Sequence, residues 1–260
     1  MAPGTTSPAT TESPLLDAPA LAEAVFGRRL DRWESAELDR FWRTDWAENR
    51  LSLGDAADRS LAATAVSFGT PVFHGFGPGY ALTFHPDAEV VRAVGHALRR
   101  PRFTPSLLTT REHLLSLVDT DELHPSPERF AASVDERLTR GAVAVGVPAA
   151  AGLPAHLTTR VDGVPTVEVV IPGADCPSLP FLATALERTG GTHLATTTPR
   201  GLTPDAGRPG PVLDRIAAIQ REFGRMRPGA VMLAHRSEWR ARRRQRPVQQ
   251  GPVEQGPVER

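Results

Sequence analysis

The chain contains no lysine: all 30 of its basic residues are arginine. That absence removes Schiff-base chemistry, a lysine nucleophile and the lysine of a P-loop together. Cysteine is almost as scarce. Cys176 stands alone, which excludes an internal disulfide and a cysteine-based metal site. An excess of one charge is missing too. Thirty acidic residues balance the arginines to a formal net charge of zero, so the molecule as a whole is no electrostatic magnet for nucleic acid. No apolar run reaches 18 residues, and the first residues hold no basic segment leading into an apolar core. Neither a membrane span nor a secretory leader is expected, and the expected location is the cytoplasm. The eight histidines show no paired ligand spacing, and no G-x-S-x-G elbow occurs; no metal site and no esterase-type nucleophile is expected. Gly75, Gly77 and Gly79 superficially form a dinucleotide loop, but Pro78 interrupts it and no helix starts at once.

What is present supports one globular domain with appendages: 260 residues, 40% hydrophobic. Residues 1–20 are rich in Pro, Ser and Thr and are expected to be disordered. Residues 21–54 read as a helical extension. Leu21, Val25, Phe26, Leu30 and Trp33 make one apolar stripe, and Leu38, Phe41, Trp42 and Trp46 another. A solvated helix would not carry three of the four tryptophans, so the Trp33–Trp46 helix packs on the main domain or on a protein partner.

The main domain, residues 55–235, alternates helical and extended signals. A helix over 56–67 precedes a strand over Pro71–His74 and the turn-prone GFGPGY. The next helix starts at about Asp87, where the helix dipole favours a carboxylate, and carries Val90, Val91, Val94 and Leu98 on one face. It ends in Arg99-Arg100-Pro101-Arg102. Pro101 cannot continue the helix, so the chain delivers a cationic corner suited to an anion, then an extended PSLL. A helix from Thr109 to Val118 and another over 127–140 follow. GAVAVGV and TVEVVI read as buried strands. Next come a helix over 178–189 closed by Gly190-Gly191, a strand THLATTT, a helix over 212–223 and a short strand over 229–234. The fold class is α/β, a twisted mixed sheet flanked by helices. His74 and His193 flank expected strand ends and read as satisfied structural histidines. From Arg236 the tail holds seven arginines and three glutamates with QGPVE repeated. It reads as a disordered basic tail, with RNA or partner binding as the sharper alternative.

The order of these motifs resembles the YrdC family, whose best-known members are threonylcarbamoyl-adenylate synthases. There a strand ends in a Pro-Thr-Asp-Thr-x-Tyr-Gly-Leu loop, a helix leads to Lys-x-Arg-Pro, and Pro-Leu follows. The equivalents are GFGPGYAL (Gly75–Leu82), LRRP (Leu98–Pro101) and PSLL (Pro105–Leu108). TVEVVIPGAD (Thr166–Asp175) is similar to the family's strand ending in Arg-x-Pro, and ATTTPRG (Ala195–Gly201) stands where Thr-Ser-Ala-Asn-x-Ser-Gly is expected.

The resemblance implies a nucleotide site at Tyr80, Arg100 and Thr197, and the neighbouring Arg99, Arg102 and Thr196 are expected to join it. It also implies departures from the family. Leu98 replaces the lysine, Val170 the second arginine and Pro199 the asparagine, while Phe76 and Pro78 replace two threonines. Ala234-His235-Arg236 stands where Gly-Gly would lead into a late strand. Two lost cations cost about 3–6 kcal/mol, on the order of 10²–10⁴ in affinity. The expectation is a degenerate site that binds a nucleotide or double-stranded RNA, with RNA contacts from Arg240, Arg242, Arg243, Arg244 and Arg246 of the tail. The alternative is an active synthase that uses ATP with Mg, bicarbonate and threonine in tRNA modification.

Overall fold

The computed structural model describes residues 18–35, 50–76, 79–98, 100, 102–174, 176–197 and 231–234. In chain order these form α1 (Ala18–Phe26), β1 (Arg50–Ser52), α2 (Ala56–Ser67), β2 (Val72–Phe76), β3 (Gly79–Phe84), α3 (Ala88–Ala97) and β4 (Ser106–Thr109). Then follow α4 (Pro127–Leu138), β5 (Val143–Pro148), β6 (Thr159–Val161), β7 (Val164–Ile171), α5 (Leu179–Thr189), β8 (His193–Thr196) and β9 (Val231–Ala234). The strands hydrogen-bond in the order β1-β9-β2-β3-β8-β4-β7-β5, and β6 joins β7 as a hairpin. β9 runs parallel to β1 and β2, and β4 parallel to β7, while the remaining pairs are antiparallel. This is the mixed sheet flanked by helices that the sequence pattern calls for.

Period-2 alternation explains why both faces carry helices. Phe73, Leu82, Phe84, Leu107, Val169 and Ala195 face one way and pack with α1, α3 and α4. Val72, Phe76, Ala81, Leu108, Val170 and Leu194 face the other way, under α2 and α5. Local chemistry sets the helix ends. Asp55 accepts from the amides of Ala57 and Asp58, and Asp87 accepts from that of Glu89. Gly190 closes α5 in the left-handed conformation. On the outer layer, Arg188 of α5 donates to Ser60 O at 2.6 Å and so ties α5 to α2.

Three expectations need correction. The helical reading of residues 21–54 is interrupted: α1 ends at Phe26, where Gly27 turns to a φ of 63°, helix resumes over residues 32–35, and Arg50–Ser52 form a strand paired with β9. Trp33 is 72% exposed, so this member of the stripe is not core. The GFGPGY turn is largely strand: Gly75 pairs with Tyr80 and Phe76 with Gly79, and burial of the Phe76 ring holds the last strand residue in place. The helix expected from Thr109 to Val118 shrinks to a single 3-10 turn, Leu114–Leu117. Leu114 and Leu117 lie three apart, which one tight turn buries together, while Thr109 completes β4 and Val118 pairs with Ala149. Residues 1–17, Trp42 and Trp46, the helix expected over 212–223 and the tail lie outside the described residues.

Thr70 has no solvent exposure, and its Oγ1 finds no hydrogen-bond partner among the described residues. Valine keeps the shape and removes the orphaned hydroxyl. Thr70→Val should raise the unfolding free energy by about 1 kcal/mol, read from urea denaturation with an unchanged slope.

Candidate functional site

Of the residues that the sequence singles out, Thr196 and Thr197 lie at one end of the sheet. Thr196, the last residue of β8, pairs with Thr83 of β3 on one side and with Ser106, the first residue of β4, on the other. The segment from the end of α3 into β4 therefore passes this same end, and it carries the cationic corner. Its backbone is pinned. Arg100 N donates to Gly95 O at 2.8 Å, and Phe103 N donates to Arg100 O at 3.0 Å. Phe103 packs on the first core cluster, its ring centroid 6.2 Å from that of Phe84. Arg100 and Arg102 remain exposed. Two exposed guanidinium groups on a turn anchored by the half-buried Phe103 make a workable cradle for an anion. Gly95 makes the close turn possible: a Cβ there would lie 2.9 Å from Phe103 Cβ and 3.1 Å from Arg100 O.

The remaining site residues divide by burial. Thr197 is half-buried and continues the β8 ladder by one residue: its N donates to Leu82 O at 2.9 Å, and its Oγ1 accepts from Leu82 N at 3.2 Å. Thr196 is interior, with 1% exposure, and its hydroxyl bonds Leu82 O at 3.0 Å and Thr83 Oγ1 at 3.2 Å. Tyr80 occupies β3 opposite Gly75. Val170 is fully buried in the second cluster, and Leu98 packs against the first. Arg99 and the tail arginines Arg240, Arg242, Arg243, Arg244 and Arg246 lie outside the described residues.

The reading of His74 as a satisfied structural histidine holds, and the structure adds the partners that sequence reasoning missed, Ser178 and Thr83, in a polar strip on the α5-facing side of the sheet. His74 sits mid-strand with no exposure; its Nδ1 lies 2.8 Å from Ser178 Oγ and its Nε2 2.7 Å from Thr83 Oγ1. Ser178 donates to Gly75 O. A serine within reach of a histidine has the spacing of a nucleophile and base. Here both side chains are fully buried and the serine proton is committed to a carbonyl, so the pair is structural. The histidine stood out in an otherwise apolar row, Val72-x-His74-x-Phe76, but nothing local named its partners.

Elsewhere, a cavity of about 560 Å³ opens beside the β6–β7 hairpin, lined in part by Asp119, Glu122, Thr158, Thr159 and Arg160. It includes none of the residues expected to bind a nucleotide. Among the described residues no group of three or more His, Cys, Asp or Glu is placed to hold a metal ion, and no helix is long and apolar enough to cross a membrane. Burial holds the His85 imidazole below its ordinary value, partly offset by Asp87. Burial also lowers His193, and the neighbouring His85 lowers it further.

Two outcomes follow from this geometry. Gly95→Ala should cost roughly 1–3 kcal/mol of stability through overpacking and displace the corner. The readout is the urea midpoint together with loss of the Arg100 and Phe103 amide signals from their wild-type positions. Because His85 and His193 bind protons less readily folded than unfolded, their contribution to stability is present above about pH 6.5 and is lost as pH falls through the lowered folded values. The urea midpoint should therefore drop between about pH 7.5 and 5.5. The double substitution His85→Gln, His193→Gln should flatten that slope.

No family model matches the chain, and no curated protein matches it in sequence. Among solved structures, a doubly substituted Sua5 from P. abyssi matches with a TM-score of 0.51 and 16% identity, over 71% of this chain and 51% of that one. YciO from E. coli matches with a TM-score of 0.50 and 14% identity, over 71% of this chain and 80% of that one. P. abyssi Sua5 complexed with L-threonine matches at 18% identity with a TM-score of 0.41, over 55% of this chain and 38% of that one. The chain spans about half the length of the first Sua5 structure. At these identities the likeness is one of fold: this chain has the mixed α/β fold of the Sua5, YrdC and YciO proteins.

Proposed function

We propose that this chain is a YrdC-like nucleotide-binding protein whose site has lost the power to activate ATP. The observation that carries the reading is the burial of Val170. At the position where the family resemblance calls for an arginine, the chain places a fully buried aliphatic side chain in the second core cluster. Leu98, at the lysine position, is half-buried and packs against the first cluster. Neither side chain offers a phosphate a charge or a hydrogen-bond donor. Positive charge is supplied at the end of the sheet by Arg100 and Arg102, both exposed. Exposed guanidinium groups hold a phosphate by forked hydrogen bonds, but they do not build the dry, preorganised field that a transferring centre needs.

Double-stranded RNA is the second ligand in this reading. The tail arginines Arg240, Arg242, Arg243, Arg244 and Arg246 supply sequence-independent affinity that falls steeply with salt. Arg100 on its pinned turn supplies affinity for a shaped ligand. The setting would be cytoplasmic and linked to tRNA modification. An active synthase, using ATP with Mg, bicarbonate and threonine, is the reading to be excluded.

The test combines ATP binding with turnover. Purified protein should bind ATP, lose that affinity on Arg100→Ala, and release no pyrophosphate with threonine and bicarbonate. Pyrophosphate release at about 1 s⁻¹, an ordinary enzyme rate, would overturn the degenerate reading. Truncation after Ser237 should remove most duplex-RNA affinity and leave ATP affinity unchanged. The opposite pattern would move the RNA site onto the folded domain.

A further inference from the structure

We propose that the cavity beside the β6–β7 hairpin is a binding site for a short peptide, about four residues long, held at its two charged ends. The cavity measures about 560 Å³ and is lined by both signs of charge, Asp119 and Glu122 against Arg160. Among the described residues no ion pair joins Arg160 to either carboxylate. The opposed charges therefore remain available to something that brings both signs with it.

Strand pairing fixes how far apart these charges stand. Val118 pairs with Ala149, Ala149 N donates to Pro165 O at 2.9 Å, and Pro165 pairs with Arg160. Neighbouring strands lie about 4.8 Å apart, so this row puts Arg160 about 14 Å from the backbone at Val118 and Asp119. A free amino acid holds its ammonium and carboxylate within one residue, about 3.5 Å, and is too short to engage both ends. An extended chain of about four residues covers the distance. A diamine of that length would be repelled by Arg160, and a dicarboxylate by Asp119 and Glu122. A peptide with free termini has unlike ends, the ammonium for the carboxylates and the carboxylate for the guanidinium.

The walls are built in advance, which lowers the cost of binding. Asp119 N donates to Pro148 O at 3.0 Å, and Ala150 N to Leu117 O at 3.0 Å. Arg160 Nη1 donates to Gly163 O at 2.8 Å across a two-residue turn, where Asp162 and Gly163 have φ values of 50° and 85°. One guanidinium N–H thus places the group, and four remain for a carboxylate. Asp119 Oδ1 accepts from Asp121 N at 3.1 Å, which leaves Oδ2 for an ammonium. Thr158 and Thr159 donate to carbonyl oxygens at 3.4 and 3.5 Å, the outer limit of hydrogen bonding, so both hydroxyls can turn to a peptide group. Between the charged ends, Ala149, Ala150 and Ala151 keep the lining small. None of the residues assigned to the nucleotide lines this cavity, so the proposal stands apart from that reading.

The test is a titration of the full chain with tetra-alanine, followed by amide NMR. The peptide with free termini should shift the Ala150, Ala151 and Gly163 amides. Acetylating its N-terminus or amidating its C-terminus should each weaken binding about tenfold, and alanine alone should leave these amides unmoved. Arg160→Gln should weaken the free peptide about tenfold and change the amidated peptide little, a difference that general unfolding does not produce. Should that variant fail to fold, the capped and uncapped peptides on the unaltered chain decide the question. Absence of any shift at millimolar tetra-alanine would overturn the proposal. So would equal affinity for capped and uncapped peptides, or for alanine and tetra-alanine.

Discussion

A buried imidazole clasped between a serine on α5 and a threonine on β3 sets the geometry of the α5-facing side of this sheet. Buried polar groups must find partners or cost stability, and His74 finds them on Ser178 and Thr83. Ser178 is also the residue from which α5 starts, and Thr83 is the residue that β8 meets. Helix placement and the β2–β3 pairing are therefore linked by requirements that cannot be met one at a time. Hydrophobic burial supplies most of the driving force on this face, but Val72, Phe76, Leu108 and Leu194 would tolerate small slips. The hydrogen bonds of His74 to Ser178 and Thr83 do not.

The same face explains the distribution of charge. With Val170 buried beside Leu108 and Leu194, this layer has become core, and a lone guanidinium there would pay desolvation without a partner. Cations are kept instead at the end of the sheet, where Arg100 and Arg102 stay in water while Phe103, the next residue, anchors the turn. Such a site can hold an anion, and water remains free to compete for it. That contrast between a dry apolar face and a wet cationic rim is the physical basis for reading binding without activation.

Much of the fold was legible because its signals are local. The stripe Val90, Val91, Val94 with Asp87 as cap specifies α3 within about ten residues of sequence. Ser178 and Gly190 bracket α5 in the same way. Failures came where two local readings were equally good. GFGPGY has the glycines and proline of a turn, yet its flanks complete a hairpin once β8 and β9 offer partners on either side. Leu114, Leu115, Leu117 and Val118 satisfy a helical stripe on paper, but Val118 has a partner in Ala149 and the helix yields to it.

The site divides along the same line. By itself the sequence determined the cationic corner, since a proline after Arg100 at a helix end is a local instruction, and it determined that Leu98 and Val170 carry no charge. The tertiary structure alone decided that Thr196 is interior while Thr197 reaches the surface, and that Gly95 must lack a side chain for the corner to close. It alone brought His74 to Ser178, 104 residues away, and Thr83 to Thr196, 113 residues away. Helix and turn signals act over one or two turns of chain, whereas a buried hydroxyl takes whichever partner the strand order delivers, and strand order is settled by packing both faces of the sheet at once.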